Sequence, residues 1–366
     1  MGFDSFLGNT KAVETVRAMA AGSRVPGALL FTGPDGVGKK TLALMLAIAM
    51  NCERLSAQGD FCGTCARCRK ADEMLAATRE DLARRRETKD AQRRADGLVY
   101  FDLQLIEPIT RFILIEQIRQ LRHVAYSRPF EFPHRVFIID EAQAIHWQAI
   151  DLLLKVLEEP PETTTLILVC PNAYELRPTI RSRCRRVPFQ PVDDSQIAAL
   201  LAREARVPKP QRALAMRVAA GSVAKAKTFD AAEFERRRRP WLAFLDAVAG
   251  SHDAAHAPDW RALLDSTKAL AEDRDAFEET LRTGYSLLRD LVGTLEGGPE
   301  APVVNVDIRA RLKAWAANLG LRGIETLKEG LGQAYRLQVR NVNQQLGFDT
   351  MAMELLSAST APSADQ

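Results

Sequence analysis

Charge of one sign is what this sequence most lacks. Lys and Arg number 50 against 47 Asp and Glu, a formal net charge of +3 over 366 residues. That balance excludes a protein that holds nucleic acid by bulk charge, although a local basic face stays open. Long apolar runs are missing too. The longest, around Leu42–Met50, is too short to cross a bilayer. The opening residues, Met1-Gly2-Phe3-Asp4-Ser5, lack the basic-then-apolar order of a secretory signal, which predicts a cytoplasmic protein with no membrane partner. Aromatic residues are only 7% of the chain and are not interleaved with its basic clusters, as a stacking surface for single strands requires. The six cysteines, in a cytoplasmic chain, are expected to be metal ligands or free thiols rather than disulfides. The remaining composition is that of a globular protein of two or three domains.

Against this background one loop stands out. Gly33-Pro34-Asp35-Gly36-Val37-Gly38-Lys39-Lys40 fits the phosphate-loop pattern G-x-x-x-x-G-K-[ST] at every position but the last. Backbone N–H groups of such a loop cradle phosphates, its Lys neutralises their charge, and the final hydroxyl holds Mg²⁺. Here Lys40 takes the hydroxyl's position. The nearest hydroxyl, Thr41, comes one residue late, and on a helix the next residue points about 100° away. The apolar run Ala28–Phe31 before the loop and the Ala/Leu/Met-rich segment Thr41–Met50 after it predict the strand–loop–helix order the motif requires. ATP or ADP binding through Gly33, Gly36, Gly38 and Lys39 is expected only as a possibility at reduced affinity, with Mg²⁺ binding weakened.

Arg135-Val136-Phe137-Ile138-Ile139 reads as a buried strand with Asp140 and Glu141 at its C-terminal end. In a doubly wound sheet that end faces the ligand crevice. Asp140 is suited to orient Mg²⁺ or its water, and Glu141 to polarise an attacking water. The pair is weak alone and gains weight from following a phosphate loop. Leu98–Leu105 and Thr165–Val169 are further strand candidates. Helices fall at Ile113–Val124 and Ala149–Leu157, the latter stopped by Pro160-Pro161. Alternating strands and helices predict an α/β domain with a parallel sheet covered on both faces. After Pro191 strand signals stop, and the pattern is helical to Leu356.

Cys52, Cys62, Cys65 and Cys68 form C-x9-C-x2-C-x2-C. Four thiolates complete a tetrahedral Zn²⁺ shell with no open position, so the expected zinc is structural. The bland alternative is a set of buried thiols. Cys170 and Cys184 read as small core residues. Residues 70–97 are dense in charge, with Leu75 and Leu82 as the only Leu before Leu98. They read as a solvated helical insertion or mobile loop; the sharper alternative is a DNA contact through Arg84-Arg85-Arg86 and Arg93-Arg94. Arg236–Arg239 reads as a solvated link. Arg183, in Ser182-Arg183-Cys184 after the Thr165–Val169 strand, could reach a neighbouring subunit's γ-phosphate as an arginine finger in trans; the bland alternative is one surface arginine among many.

Residues 28–41, the four cysteines, Asp140-Glu141-Ala142, Leu153-Leu154-Lys155-Val156-Leu157-Glu158-Glu159-Pro160-Pro161 and Thr179-Ile180-Arg181-Ser182-Arg183-Cys184 occur in one order. Together they resemble the bacterial sliding-clamp loader family of DNA polymerase III. The match is good over about residues 1–230. Beyond that it rests on helicity and on Asn341-Val342-Asn343-Gln344-Gln345-Leu346. The resemblance implies an AAA+ phosphate-loop domain with a parallel sheet over 1–190, holding a zinc module at 51–69 and the charged insertion at 70–97. It further implies an all-α lid over 191–232, an all-α collar for oligomerisation over 233–356 and a disordered tail over 357–366.

Two subunit types of the family share these motifs, the gamma/tau motor and the delta prime stator. Lys40 in place of the hydroxyl, Cys170-Pro171 at the strand end where the motor keeps a sensor threonine, and Ala224 or Lys225 where the lid keeps an arginine all favour the stator. The implied partners are gamma/tau and delta subunits in a hetero-pentameric clamp loader, with the sliding clamp and primer-template DNA reached through the complex. No polymerase active site is expected. Two alternatives are a catalytically active gamma/tau-type ATPase and a zinc-dependent DNA-binding protein.

Overall fold

Five short strands, all parallel, pair in the order β2-β3-β4-β1-β5. They are β1 (Ala28–Thr32), β2 (Leu103–Ile106), β3 (Arg135–Ile139), β4 (Thr164–Cys170) and β5 (Arg185–Pro188). The computed structural model describes residues 2–22, 25–90, 94–95, 97–203, 207–249, 259–273, 276–297, 301–339 and 343–360. The expected contact at Arg93, residues 341–342 of the Asn341–Leu346 motif and residues 361–366 of the expected tail lie outside them.

Strands β1 to β4 are buried at every residue, so their sequences run apolar without alternation, as a sheet covered on both faces requires. Their side chains still divide by parity. Leu29, Phe31, Val136, Ile138, Ile167 and Val169 share one core with α1 (Thr10–Ala21), α2 (Lys39–Asn51) and α3 (Ala66–Glu87). Leu30, Phe137, Ile139, Leu166 and Leu168 share the opposite core with α4 (Ile115–Ala125) and α5 (Ile150–Glu158). Beneath β2 and β3 the buried Arg135 reaches Asp102 at 2.9 Å, and Asp102 also accepts backbone N–H groups of Phe130, Glu131 and Phe132.

β5 lies beyond the four strands read from sequence. In Arg185-Arg186-Val187-Pro188 only Val187 is buried, and an edge strand with an exposed outer face carries little apolar signal. Over residues 70–87 the charged segment is helical, as the first of its two readings had it, but it is not fully solvated. It continues α3, whose residues Cys68, Ala71, Leu75, Thr78, Leu82 and Arg85 are buried at three- and four-residue spacing. Small and polar residues fill that stripe, which hid it from a reading based on Leu alone. Arg85 is buried, pairs with Asp81 at 2.6 Å and donates to the carbonyls of Arg94 and Gly97. The Arg84–Arg86 run is therefore largely engaged within the fold.

The chain divides into two compact units, Met1–Ile197 with Ala220–Ala224, and Ala198–Ala219 with Lys225–Gln366. The second includes most of α7 (Asp194–Arg203) and of α9 (Val223–Thr228), and the helices α8 (Arg212–Ala219), α10 (Ala231–Ala249), α11 (Trp260–Leu270), α12 (Phe277–Gly297), α13 (Arg309–Val339) and α14 (Gln344–Thr360). Its core surrounds Trp241, which meets Phe244 and Phe348 edge-on. Arg236–Arg239 is no solvated link: it lies within α10, where Arg238 is buried and bonded to Asn305 and Asp307. Helix α13 is broken at Gly320, whose φ of +59° with ψ of −172° leaves the helical region. Helix α14 runs on to Thr360, into the segment expected as a tail. Among the described residues no helix is long and apolar enough to cross a membrane.

Candidate functional site

The glycine loop spans the turn from β1 to α2, at the C-terminal edge of the sheet. Gly36 and Gly38 have φ of +74° and +100°, values closed to most side chains. Space is lacking as well. A Cβ on Gly36 would lie 2.1 Å from Ser222 Oγ, and one on Gly38 would lie 2.6 Å from the Phe6 ring. The Ala224 N–H donates to the Gly36 carbonyl at 3.0 Å. The loop is thus held from outside by the N-terminal segment and by residues 220–224.

Lys39 is buried and turned back into the loop. Its Nζ donates to the carbonyls of Gly33 at 2.5 Å and Pro34 at 2.7 Å, with Asp35 at 3.5 Å. Burial lowers its pKa, and Asp35 only partly offsets this. These are the donors that a phosphate group would draw on.

Lys40 points across the crevice to the carboxylates. Its Nζ lies 2.8 Å from Glu107 Oε1 and 2.9 Å from Asp140 Oδ2. The other oxygen of Glu107 accepts from Arg86 at 2.8 Å, and Arg86 also donates to the Pro108 carbonyl. Burial works against the Lys40 ammonium, but its bonds to Glu107 and Asp140 win and raise its pKa. Burial likewise opposes ionised Glu107, and Lys40 and Arg86 win and lower it. Glu141 follows Asp140 in a left-handed conformation with φ of +51°. Burial, then the charges of Asp140 and Glu107, raise its pKa. Thr41 is exposed on α2.

The structure brings Gly33, Gly36, Gly38, Lys39, Lys40, Asp140 and Glu141 to one edge of the sheet. It adds Glu107, which the sequence reading missed, and Arg86, which that reading considered only as a DNA contact. A signal for Glu107 was present: Leu103-Gln104-Leu105-Ile106-Glu107 repeats the apolar-run-then-acid form of the strand before Asp140. Arg86 gave none, because its role depends on how α3 crosses β2.

At the end of β4, Cys170 pairs in register with Thr32, and the Pro171 carbonyl accepts the Gly33 N–H at 3.1 Å. Burial pushes the Cys170 thiol up to about 11 and the Cys184 thiol up to about 12, so both stay protonated at neutral pH, as core thiols do. Neither Cys170 nor Pro171 offers a hydroxyl. Asn172 caps its own turn through the Tyr174 N–H. Lys225 lies on α9 (Val223–Thr228). Arg183 follows the short helix α6 (Pro178–Arg181). Its guanidinium reaches Glu158 at 2.6 Å and the Thr179 carbonyl at 2.9 Å. The last turn of α5 thereby orients it.

The four cysteines converge. The Sγ atoms of Cys52, Cys62, Cys65 and Cys68 all lie within 4.8 Å of one another. The Cys52–Cys62 separation of 3.7 Å is close to the edge of a tetrahedron whose metal–sulfur bonds are about 2.3 Å. Backbone N–H groups of Thr64 and Cys65 donate to Cys62 Sγ, and that of Cys68 donates to Cys65 Sγ. The Thr64 N–H, helped by that of Cys65, holds the Cys62 thiol down to about 5, whereas burial pushes the Cys52 and Cys68 thiols up. Such donors favour thiolates, the form that binds metal. The cluster can hold a metal ion.

Residues 8–193, just over half the chain, match the family described as "DNA polymerase III, delta subunit". The chain is similar to the DNA polymerase III subunit gamma/tau of Mycobacterium tuberculosis, at 32% identity over 55% of this chain and 31% of that protein. It is similar to the DNA polymerase III subunit tau of Escherichia coli, at 29% identity over 93% of this chain and 45% of that protein. The chain therefore spans less than half of the length of these relatives. Among solved structures, it overlaps a DNA polymerase III gamma subunit-related protein of Thermotoga maritima at 12% identity and a TM-score of 0.45, covering 94% of this chain and 99% of that one.

Proposed function

The chain belongs to the DNA polymerase III delta-subunit family, and from that premise we propose that it is a clamp-loader subunit of the delta prime, or stator, type. The observation that carries this reading is Lys40. A motor subunit needs a metal-binding hydroxyl where this chain has an ammonium bound to Asp140 and Glu107. Loss of metal positioning affects hydrolysis more than binding, because the metal stabilises charge that develops in the transition state. The absent hydroxyl at Cys170-Pro171 and the absent arginine at Ala224-Lys225 support the same choice.

On this reading the pocket keeps its phosphate cradle, with Gly33, Gly36, Gly38 and Lys39 able to hold ATP or ADP weakly, and turnover occurs next door. Arg183 serves ATP bound on an adjacent gamma/tau subunit, for which a planar guanidinium offers paired donors to phosphate oxygens. The remaining partners are a delta subunit, the sliding clamp and primer-template DNA, met within a hetero-pentameric ring. Cys52, Cys62, Cys65 and Cys68 would hold a structural zinc, which fixes the chain leaving α2 against the start of α3.

The test is reconstitution with gamma/tau and delta subunits. Arg183→Ala should leave assembly intact. It should reduce turnover at the site it serves by about 10³-fold or more, the usual worth of such a finger. The complex should then lose that site's share of its DNA-stimulated ATPase, and unchanged ATPase would refute the role of Arg183. An active gamma/tau-type ATPase is the second reading, favoured by the intact Gly33–Lys39 segment. Turnover by the isolated chain at a motor subunit's rate would establish it.

A further inference from the structure

In a phosphate-loop site the divalent metal sits between the hydroxyl at the end of the loop, the phosphates and the acid of the second motif strand. In this chain the same space is bounded by Asp140 from the end of β3, Glu107 from the end of β2 and residue 40 at the start of α2. The donor set does not fit the metal. Residue 40 supplies no oxygen, and its ammonium lies 2.8 and 2.9 Å from the two carboxylates that would be ligands. A divalent cation placed there would meet a positive charge at contact distance. The carboxylate side is fixed in turn, because Glu107 is tied through its second oxygen to Arg86 at 2.8 Å.

We propose that the Lys40 ammonium is the resident cation of this pocket, seated between Asp140 and Glu107 where a phosphate loop seats a divalent metal, and that it keeps that metal out. Arg86 acts as the positioning residue that holds Glu107 to it. The order of charges is Arg86, Glu107, Lys40, Asp140, alternating in sign, so the two acids are neutralised by the chain itself. A phosphate chain in the loop would face two ammonium groups, Lys39 and Lys40, and no metal. The inference rests on the phosphate-loop part of the functional reading and needs neither Arg183 nor any partner subunit.

The test uses the isolated full chain with Mn²⁺ alone as a spin probe and no nucleotide, because phosphates in solution would themselves take up the ion. Bound Mn²⁺ is read from loss of the free-ion paramagnetic resonance signal. Wild type and Asp140→Asn should show the same weak, non-specific Mn²⁺ uptake. Lys40→Thr, which removes the ammonium and restores a hydroxyl, should bind Mn²⁺ tighter than wild type by about tenfold or more, and adding Asp140→Asn to it should abolish the gain. Circular dichroism checks that each variant is folded. If Lys40→Thr does not fold, the comparison is made on Lys40→Met, which keeps the length and loses the charge. Wild-type Mn²⁺ binding that is lost in Asp140→Asn would overturn the proposal, as would a folded charge-free variant that binds no more Mn²⁺ than wild type. Because no partner is present, either result leaves the assembly reading to be judged on its own reconstitution.

Discussion

Lys40, Glu107 and Arg86 illustrate how one residue's meaning depends on what it touches. A lysine at the end of a phosphate loop could face solvent or the phosphates; here it faces two acids. The pH behaviour follows from the directions of the shifts. Glu107 has its pKa below its ordinary 4.5, so its contribution to stability is fully present above that value and is lost as pH falls through the lower, folded-state pKa. Lys40 has its pKa above its ordinary 10.5. Its contribution is present below 10.5 and is lost only as pH rises through the higher value. Across the neutral range the link is intact. Glu107→Gln should cost about 1–3 kcal/mol at pH 7, since Lys40 and Arg86 each lose a charged partner in a half-buried setting. It should also reduce the loss of stability expected below pH 4.5. Urea melts at neutral and acidic pH measure both, and equal acid sensitivity in the two proteins would contradict the assignment. The loop residues Gly33 to Lys40 and the acids Asp140 and Glu141 were legible in sequence because each sits in a local motif. Arg86 was not, since its partner Glu107 lies 21 residues away on another element.

At the scale of elements, α3 carries most of the surprise. Its sequence is dominated by charge, yet one face is buried from Cys68 to Arg85. Amphipathicity is usually read from large apolar residues, and here Cys, Ala and Thr occupy half the stripe. Strand β5 escaped for a similar reason, with only Val187 turned inward. The strands β1, β3 and β4 were legible because parallel strands covered on both faces are short unbroken apolar runs. The cysteine spacing was legible because the four cysteines and their spacers are local to one segment. The structure supports a test of it: the purified chain should carry one zinc, measured by atomic absorption. Chelation, or Cys68→Ser, should speed amide hydrogen exchange in the first turns of α3 while leaving β1, β3 and β4 protected. Uniform protection after metal removal would show that the cluster contributes nothing to holding the helix.

Over the whole molecule, the family match and the motifs concentrate in the first compact unit, while the second is known here through its helices and its core. Helicity after Pro191 was legible from periodicity. The packing partners were not: Arg238 reads as one of four surface arginines until Asn305 and Asp307, far along the chain, enclose it. That enclosure bears on the DNA-binding alternative. Arg236 and Arg237 pair with Glu233, and Arg85 and Arg86 with Asp81 and Glu107. With a net charge of +3, the isolated chain should bind duplex or primed DNA only weakly at physiological salt. Tight binding with a steep fall as salt rises, read by fluorescence anisotropy, would restore the alternative.

Helix α3 has one further property. At 22 residues it is about 33 Å long, and both ends are tethered. Near its start Cys65 and Cys68 belong to the thiol knot, and near its end Arg86 grips Glu107 beside Lys40. It is a strut with a rivet at each end. One continuous helix thus ties the cysteine cluster to the charge row at the sheet edge.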